Sequence, residues 1–282
     1  CGITSIKPTQ GLVPWATVVP PEDPNLSYQL MLSEGTMARH VADVRAGLLA
    51  IAGPHDRDPR ALPVTLSDRT IGRRWKVALC ADPPGGSTHP EVVSAIRAAA
   101  DALADAGAEV VEAVPLSVER AVELWGIMLG AEMRAQKPLL DLVLGDAGKR
   151  FVSFSDDAFP VLNTSELMLA LTDRNRIDRE WHEFLTDHDV LLMPTWAHPP
   201  FELGFDVQSL DNALAVLNTL RPVIPANLMG LPSAIVPVGM AGGMPTGAQV
   251  VGRRFADLTC LAVAEALEQH FGTITPIDPI WS

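Results

Sequence analysis

Between residues 75 and 114 a strand, a helix and a second strand follow in immediate succession, and no other feature limits the fold as strongly. The first strand is WKVALC, and the second is AEVVEAV. The helix between them is predicted to start at Pro90, because proline is favoured in a first turn, and to end at Gly107 as its C-cap. Its apolar residues recur at helical spacing: Val92, Ile96, Ala99, Ala100 and Leu103. A crossover of this kind joins parallel strands, so the pattern predicts an α/β fold.

Helical and extended patterns continue through the rest of the chain. A helix is predicted over 36–52 from apolar residues at helical spacing: Met37, Val41, Val44, Leu48 and Ile51. Further helices are predicted over 118–144, 165–186 and 257–270, and strands over 189–193, 233–238 and 246–251. The first 35 residues are rich in proline and glycine and read as loop with short extended pieces. Because no repeat or low-complexity linker divides the chain, residues 1–282 are predicted to belong to one domain whose first strands are missing, with no second independent domain.

Charge, hydropathy and cysteine content limit the possible partners and the cellular compartment. The 282 residues include 48% hydrophobic side chains and carry a formal net charge of −13. An acidic surface repels phosphate backbones, so nucleic acid is not expected as a partner. No apolar run reaches the roughly 18 residues that span a bilayer, so no membrane partner is expected either. Cys1, Cys80 and Cys260 are far apart, which argues against a disulfide framework and favours a reducing compartment, the cytoplasm.

Two segments resemble known motifs, a nucleophile elbow and a zinc-binding helix, but each lacks a required residue. GGSTH at 85–89 resembles a nucleophile elbow, but His89 stands where the second glycine is required, and a loop before a helix explains the segment. HEFLT at 182–186 begins like a zinc helix but has Thr186 in place of the second histidine. His188 is at the wrong spacing to replace it. From the residues alone, neither a metal nor an organic cofactor is predicted.

Two stretches are candidates for a substrate pocket, because pockets are lined mostly by apolar and aromatic side chains. On the helix ELWGIMLGAEM, Trp125, Met128 and Glu132 share one face, and methionine is an adaptable pocket lining. The alternative for this face is ordinary core packing. In MPTWAHPPF a strand ends and exposes Trp196 and Pro199 on a loop, where α/β sheets bind ligands.

The chain opens with CGITSIKPTQGLVP, and its Lys-Pro-Thr-x-Gly-x-Val pattern resembles a segment of the amidase signature family of serine hydrolases. Residues 33–59 resemble the next block of that family, Met-Ala-Arg-x-Val-x-Asp followed by a Gly-Pro-x-x-x-Asp-Pro turn, with Thr36 where proline is usual. Its later blocks are matched in the right order by 90–112, 189–195, 225–239 and 245–268. The resemblance therefore covers nearly the whole chain.

The resemblance implies an α/β/α layered fold around a mixed, largely parallel sheet, of which this chain is the C-terminal part. It also implies hydrolysis of a C–N acyl bond without metal or organic cofactor, through a nucleophilic serine, a second serine held by a cis peptide bond, and a lysine. In the family these three residues and the oxyanion loop precede the segment that Cys1 begins. No catalytic residue is therefore expected within 1–282, and Lys7 is interpreted as a loop lysine.

Three functions remain open from the sequence. The first is hydrolysis of a small amide or carbamate (urethane), with the N-terminal part of the same domain as a required partner. The second is that of one component of an amidotransferase, which acts in a multi-subunit complex. The third is a binding or scaffold protein on this fold without an active site. The sequence also leaves a homodimer open.

Overall fold

The computed structural model describes residues 2–18, 23–68 and 72–274, so Cys1 lies outside the described residues. Within that part of the chain one sheet contains the following strands: β1 (Thr4–Lys7), β2 (Met37–Ala38), β3 (Lys76–Leu79), β4 (Glu109–Glu112), β5 (Val190–Pro194), β6 (Ser233–Ala241) and β7 (Met244–Gly252). Their order across the sheet is β2-β1-β6-β7-β5-β3-β4. The sheet is thus assembled from distant parts of the chain, with β1 beside β6.

The sheet is mixed, and its parallel part is confined to one side. β3 pairs in parallel with both β4 and β5, which confirms the predicted strand–helix–strand crossover. All other pairings between these strands are antiparallel. The parallel part is smaller than the sequence predicts, because β6 and β7 form a hairpin in the centre of the sheet. Gly242 and Gly243 close that hairpin with φ angles of 57° and 74°, the left-handed conformation that a two-residue turn requires.

The helices connect and cover the strands. They are α1 (Leu26–Met31), α2 (Val41–Ile51), α3 (Pro90–Asp105), α4 (Val118–Ala135), α5 (Lys137–Val143), α6 (Asp146–Ala158), α7 (Thr164–Asp187), α8 (Leu210–Thr219), α9 (Ile224–Met229) and α10 (Asp257–Phe271), with a short 3-10 helix at Phe205–Val207. α3 begins on a side-chain cap from His89, and α7 begins on a capping box between Asn163 and Glu166.

The sheet separates two hydrophobic cores. Side chains alternate across β3, so that Val77 and Leu79 join the core under α2, α3 and α10, whereas Ala78 and Cys80 join the core under α4, α7 and α9. The second core contains Trp181, which is fully buried and donates its indole N–H to the carbonyl of Leu116 at 3.0 Å. Cys260 is fully buried in the first core, as predicted for the stripe of the last helix.

The structure differs from the predicted elements in three places. Met37 belongs to β2 and is 72% exposed, so the predicted helix over 36–52 begins only at Val41. The predicted helix over 118–144 is divided at Gln136, just before the proline in the first turn of α5. The first 35 residues, predicted as loop with short extended pieces, contain β1 as such a piece but also the helix α1, which was not predicted.

One section of the sheet lacks a helical cover in the described residues. Ala234 and Val236 of β6 point into the first core, so Ile235 between them points to the opposite face, beside Ser5 of β1. Both residues are only half-buried. On this face the buried core under α4, α7 and α9 includes residues of β3, β5 and β7 but none of β1 or β6. The uncovered section forms the floor of a cavity.

Candidate functional site

A cavity of about 370 Å³ opens where β5 and β6 end and where β1 and β7 begin. We call it the Trp196 cavity. The loop after β5 supplies one wall, and the uncovered strands supply the floor. It is lined by Gly2, Ile3, Ser5, Met37, Thr195, Trp196, His198, Pro199, Pro200, Ile235, Pro237, Ala241, Pro245, Thr246 and Gly247. Most of these side chains are apolar, which is typical of sites that bury an uncharged organic group.

Trp196, which lines the cavity, belongs to a stack of three aromatic side chains. The Trp196 and Phe201 rings lie with their centroids 5.9 Å apart and their planes at 9°. Phe201 is followed by Phe205, at 6.1 Å between ring centroids. Trp196 is half-buried, so the stack supports its indole while part of the ring remains exposed. Offset stacking of this kind holds an aromatic side chain in one orientation.

Two of the polar side chains that line this mostly apolar cavity, Thr195 and His198, come from the loop after β5. The Thr195 hydroxyl is buried and has no hydrogen-bond partner among the described residues, although the backbone N–H of Thr195 donates to the carbonyl of Gly247 at 2.9 Å. The Nε2–H of His198 donates to the carbonyl of Ser87 at 2.9 Å. A few polar groups in an apolar cavity are what orient a ligand, and the Thr195 hydroxyl has its hydrogen-bonding capacity unused.

The structure places Trp196 and Pro199 together in this cavity but does not bring the predicted α4 residues to it. The Trp125 indole N–H donates to Asn227 Oδ1 at 2.8 Å, which joins α4 to α9. Met128 is 4% exposed and packs in the second core. A Glu132 carboxylate oxygen accepts from the backbone N–H of Ser27 at 2.7 Å, at the start of α1. A substrate role for these three residues stays a prediction.

Sequence reasoning missed most of the cavity floor. Ser5, Ile235 and Gly247 come from three strands and Ile3 directly precedes β1, so their proximity depends on the order β1-β6-β7. Glycine at position 247 leaves the floor without a side chain there. A Cβ at this position would lie 3.1 Å from the Thr195 hydroxyl oxygen. One sequence pattern does indicate part of the floor: in the strand SAIVPV, side chains alternate between the two faces of the sheet, so Ile235 and Pro237 share one face.

The opening segment is fixed to α10 by a buried hydrogen-bond network. The Thr9 N–H donates to Asp257 Oδ1 at 2.8 Å, and the Thr9 hydroxyl donates to Asp257 Oδ2 at 2.7 Å. The Thr9 hydroxyl also accepts from the Phe255 N–H at 2.9 Å. Burial raises the pKa of Asp257, and the bonds from Thr9 oppose that rise. Lys-Pro-Thr in the opening segment therefore includes a threonine with a structural role.

Lys7 lies beside this network. It keeps some exposed surface, yet burial of its ammonium lowers the pKa to about 7, against the opposing effect of the Asp257 carboxylate. Lys7 Nζ donates to the carbonyl of Pro8 at 3.1 Å. A general base must be within hydrogen-bond reach of the proton it takes. No serine hydroxyl is bonded to Lys7 in the part of the chain that the structure describes. The interpretation of Lys7 as a loop lysine is wrong in one respect, because Lys7 is the last residue of β1 and pairs with Ser233 of β6.

Removing Lys7 is expected to flatten the pH dependence of stability. The Lys7 ammonium titrates with a pKa of about 7 in the folded chain against an ordinary value of 10.5, so between these two values the unfolded state binds one more proton than the folded state. The free energy of unfolding should therefore rise as the pH increases through this range, and Lys7→Met should show less of that rise. Urea unfolding of the complete protein at about pH 7 and about pH 9.5 measures it. Parallel profiles for the variant and the parent would contradict the assignment.

The incomplete motifs have structural roles. The Nδ1 atom of His89 accepts from the Glu91 N–H at 3.3 Å and caps α3. His182 lies 3.7 Å from a carboxylate oxygen of Asp178, one turn earlier on α7. Within residues 2–18, 23–68 and 72–274 no cluster of histidine, cysteine, aspartate or glutamate is arranged to hold a metal ion. In the same residues no helix combines the length and hydropathy required to cross a bilayer.

Comparisons with known proteins agree with this geometry. The family model described as Amidase matches residues 1–261. An indoleacetamide hydrolase from Bradyrhizobium japonicum is 31% identical over 277 residues, covering 97% of this chain and 59% of that protein. A glutamyl-tRNA(Gln) amidotransferase subunit from Lacticaseibacillus casei (strain BL23) is 29% identical over 298 residues, covering 95% of this chain and 59% of that protein. The structure of 6-aminohexanoate cyclic dimer hydrolase complexed with substrate superposes with a TM-score of 0.77 at 20% identity, covering 96% of this chain and 61% of that chain.

The mixed seven-stranded sheet of the described residues, with helices on its faces, is the fold shared with amidase signature enzymes. The chain belongs to the Amidase family. It spans 59% of the length of the indoleacetamide hydrolase and of the amidotransferase component that it matches.

Proposed function

We propose that this chain is the substrate-binding part of an enzyme that hydrolyses a C–N acyl bond in a small amide or carbamate. The observation that carries the proposal is that Gly2 and Ile3 line the Trp196 cavity. In the amidase signature pattern the nucleophilic serine stands a few residues before the segment that Cys1 begins. A few residues span on the order of 10–20 Å when extended, so that serine would lie at or near the cavity.

The catalytic groups in this proposal belong to residues upstream of Cys1. A serine activated through a second serine and a neutral lysine attacks the carbonyl carbon and forms an acyl-enzyme, with the amine as the leaving group. Backbone N–H groups stabilise the oxyanion of the tetrahedral intermediate, and water then releases the acid. The residues that line the Trp196 cavity bind the uncharged part of the substrate and exclude water from it.

An aromatic substituent suits the Trp196 cavity best. The exposed part of the Trp196 indole offers a flat apolar wall, and Pro199, Ile235 and Pro237 extend the apolar surface. The similarity to an indoleacetamide hydrolase points the same way. We therefore place arylacetamides first among the substrate classes, with aryl carbamates as an alternative that presents the same carbonyl. We also infer that the enzyme acts in the cytoplasm, since Cys80 and Cys260 are free thiols.

A second candidate function is that of an amidotransferase component, which the similarity to the glutamyl-tRNA(Gln) amidotransferase supports. Its acceptor would be an acylated tRNA, bound with the help of other subunits. The net charge of −13 weighs against it, because phosphate backbones are attracted by basic surfaces.

The proposal is tested by assaying the complete protein against indoleacetamide, a short aliphatic amide, an aryl carbamate and glutamine. We expect the highest kcat/KM with the aryl substrates and release of ammonia or amine in proportion to the acid formed. Hydrolysis of glutamine alone would favour the amidotransferase. No turnover of any of the four, from a protein shown to be folded, would favour a binding protein instead.

A further inference from the structure

A buried cationic side chain lies next to the loop that carries Trp196. Arg221, between α8 and α9, is only 1% exposed. All three nitrogens of its guanidinium donate to the segment 82–88, through Nε to the Pro83 carbonyl at 3.2 Å and Nη1 to the Ser87 carbonyl at 2.9 Å. Nη2 donates to the Gly86 carbonyl at 3.2 Å and to the Thr88 hydroxyl at 2.8 Å.

The charge of Arg221 is weakly compensated. Its Nη2 lies 3.7 Å from a carboxylate oxygen of Asp82, whose side chain is 60% exposed. Removing a guanidinium from water is unfavourable, and an apolar side chain of similar volume is often as good for stability. A planar fork of five N–H donors does something that an apolar side chain cannot, because it binds carbonyl oxygens in one fixed arrangement. The contacts of Arg221 therefore indicate that it fixes the conformation of 82–88.

The glycines of the segment 82–88 allow its backbone to pack closely around Arg221. Gly85 has a φ angle of 95°, in the left-handed region that favours glycine. A Cβ on Gly86 would lie 2.4 Å from Asn218 Oδ1, so only glycine allows this approach. Asn218 Oδ1 in turn accepts from Arg221 Nη1 at 3.0 Å. The glycines in GGSTH are thus explained by packing against Arg221 and Asn218.

The same segment holds the wall of the Trp196 cavity. The Ser87 carbonyl accepts from Arg221 Nη1 and also from His198 Nε2, each at 2.9 Å, and His198 lines the cavity. The His89 N–H donates to the Ala197 carbonyl at 2.8 Å, and the Ala197 N–H donates to the Thr219 carbonyl at 2.9 Å. The two residues that follow Trp196 are therefore tied to the frame that Arg221 organises.

We propose that Arg221 is a positioning residue that sets the width of the Trp196 cavity and, through it, the size of the substrate group that the enzyme accepts. It acts through the Ser87 carbonyl on His198 and contacts no substrate. This inference rests on the proposed function, in which the cavity binds the apolar group of an amide or carbamate. It adds a determinant of substrate size that lies outside the cavity lining.

Arg221→Lys in the complete protein tests the proposal, because lysine keeps the charge but loses the fork of donors. We expect the KM for an arylacetamide to rise about three- to tenfold, with kcat and the KM for a short aliphatic amide each changed by less than about twofold. Arg174→Met is the matched control. Arg174 is half-buried on α7 and also donates to two carbonyls, of Leu228 at 2.8 Å and of Leu30 at 3.2 Å, neither of which lines the cavity. That variant should change the KM of both substrates by the same factor.

An equal change of both KM values in Arg221→Lys would overturn the proposal, as would a size-selective change in Arg174→Met. If Arg221→Lys does not fold, Thr88→Val takes its place. It removes one acceptor of Nη2 with little change of volume, and a smaller shift in the same direction is expected. An unchanged ratio of KM values in folded Thr88→Val would count against the proposal.

Hydrogen exchange separates this inference from the proposed function, since it needs no turnover. The Ala197 and His89 amides should exchange faster in Arg221→Lys than in the parent protein, and at the parent rate in Arg174→Met. If the parent hydrolyses neither an amide nor a carbamate, the proposed function fails while the exchange result still decides the role of Arg221. Unchanged exchange at both amides in Arg221→Lys would overturn that role.

Discussion

Residues 1–282 expressed alone are expected to hydrolyse neither amides nor carbamates, with a loss on the order of 10⁶-fold relative to the complete enzyme. The physical reason is that the proposed nucleophile, bridging serine and lysine all precede Cys1, so the chain alone has no activated nucleophile. The measurement is turnover of a chromogenic anilide and a chromogenic carbamate by purified 1–282. Turnover by 1–282 that a substitution within it abolishes would show that the catalytic groups lie in this chain.

An inactive 1–282 could also result from loss of folding, and the structure gives a reason to expect such a loss. The uncovered section of the sheet at Ser5 and Ile235 is antiparallel, but its cavity lining includes the apolar side chains of Ile3 and Ile235, and removing these from water by a partner layer would stabilise the fold. We expect 1–282 to lack a single cooperative thermal transition. A second experiment does not depend on the folding of 1–282, because it uses the complete protein. In that protein Lys7→Met should retain kcat within about threefold. Complete loss of kcat in that folded variant would assign the base to Lys7.

Trp196→Ala in the complete protein is expected to lower kcat/KM for an arylacetamide by about 10- to 200-fold and to change it by less than about twofold for a short aliphatic amide. Only the bulky substrate reaches the indole, which contributes apolar contact at roughly 25 cal/mol per Å² buried. The stack on Phe201 keeps this wall in place before the substrate arrives, so its loss is not offset by rearrangement. Steady-state kinetics with both substrates and a melting curve provide the measurement.

Trp125→Ala is the matched control for the aromatic wall. Trp125 is also a half-buried indole, but its N–H is bound to Asn227 between α4 and α9, away from the Trp196 cavity. Its removal should lower the melting temperature and reduce activity on both substrates alike. Equal losses on both substrates in Trp196→Ala, with a large fall in melting temperature, would make Trp196 a core residue. A size-selective loss in Trp125→Ala would instead move the pocket to the α4 face with Met128 and Glu132.

The sequence by itself determined the elements whose stabilising contacts are local. The crossover from β3 through α3 to β4 could be predicted, because Pro90, the helical stripe and Gly107 mark the helix and its ends. The β6–β7 hairpin is marked by Gly242 and Gly243, and its strands by apolar alternation. The ordered motifs determined the family, and Trp196 and Pro199 were predicted from a strand end followed by a stiff loop.

Tertiary structure alone decided the cavity floor and the partners of each helix face. Met37 fits a helical stripe, but pairing of β2 with β1 competes successfully for that segment and leaves it exposed. Trp125 was predicted from its helical face, whereas its hydrogen bond to Asn227, about a hundred positions later, is set by the packing of α4 against α9. Ile3, Ile235 and Gly247 meet only because β1 lies next to β6. Spacing along a chain records which residues share a face, whereas strand order and burial depend on contacts between residues far apart in sequence.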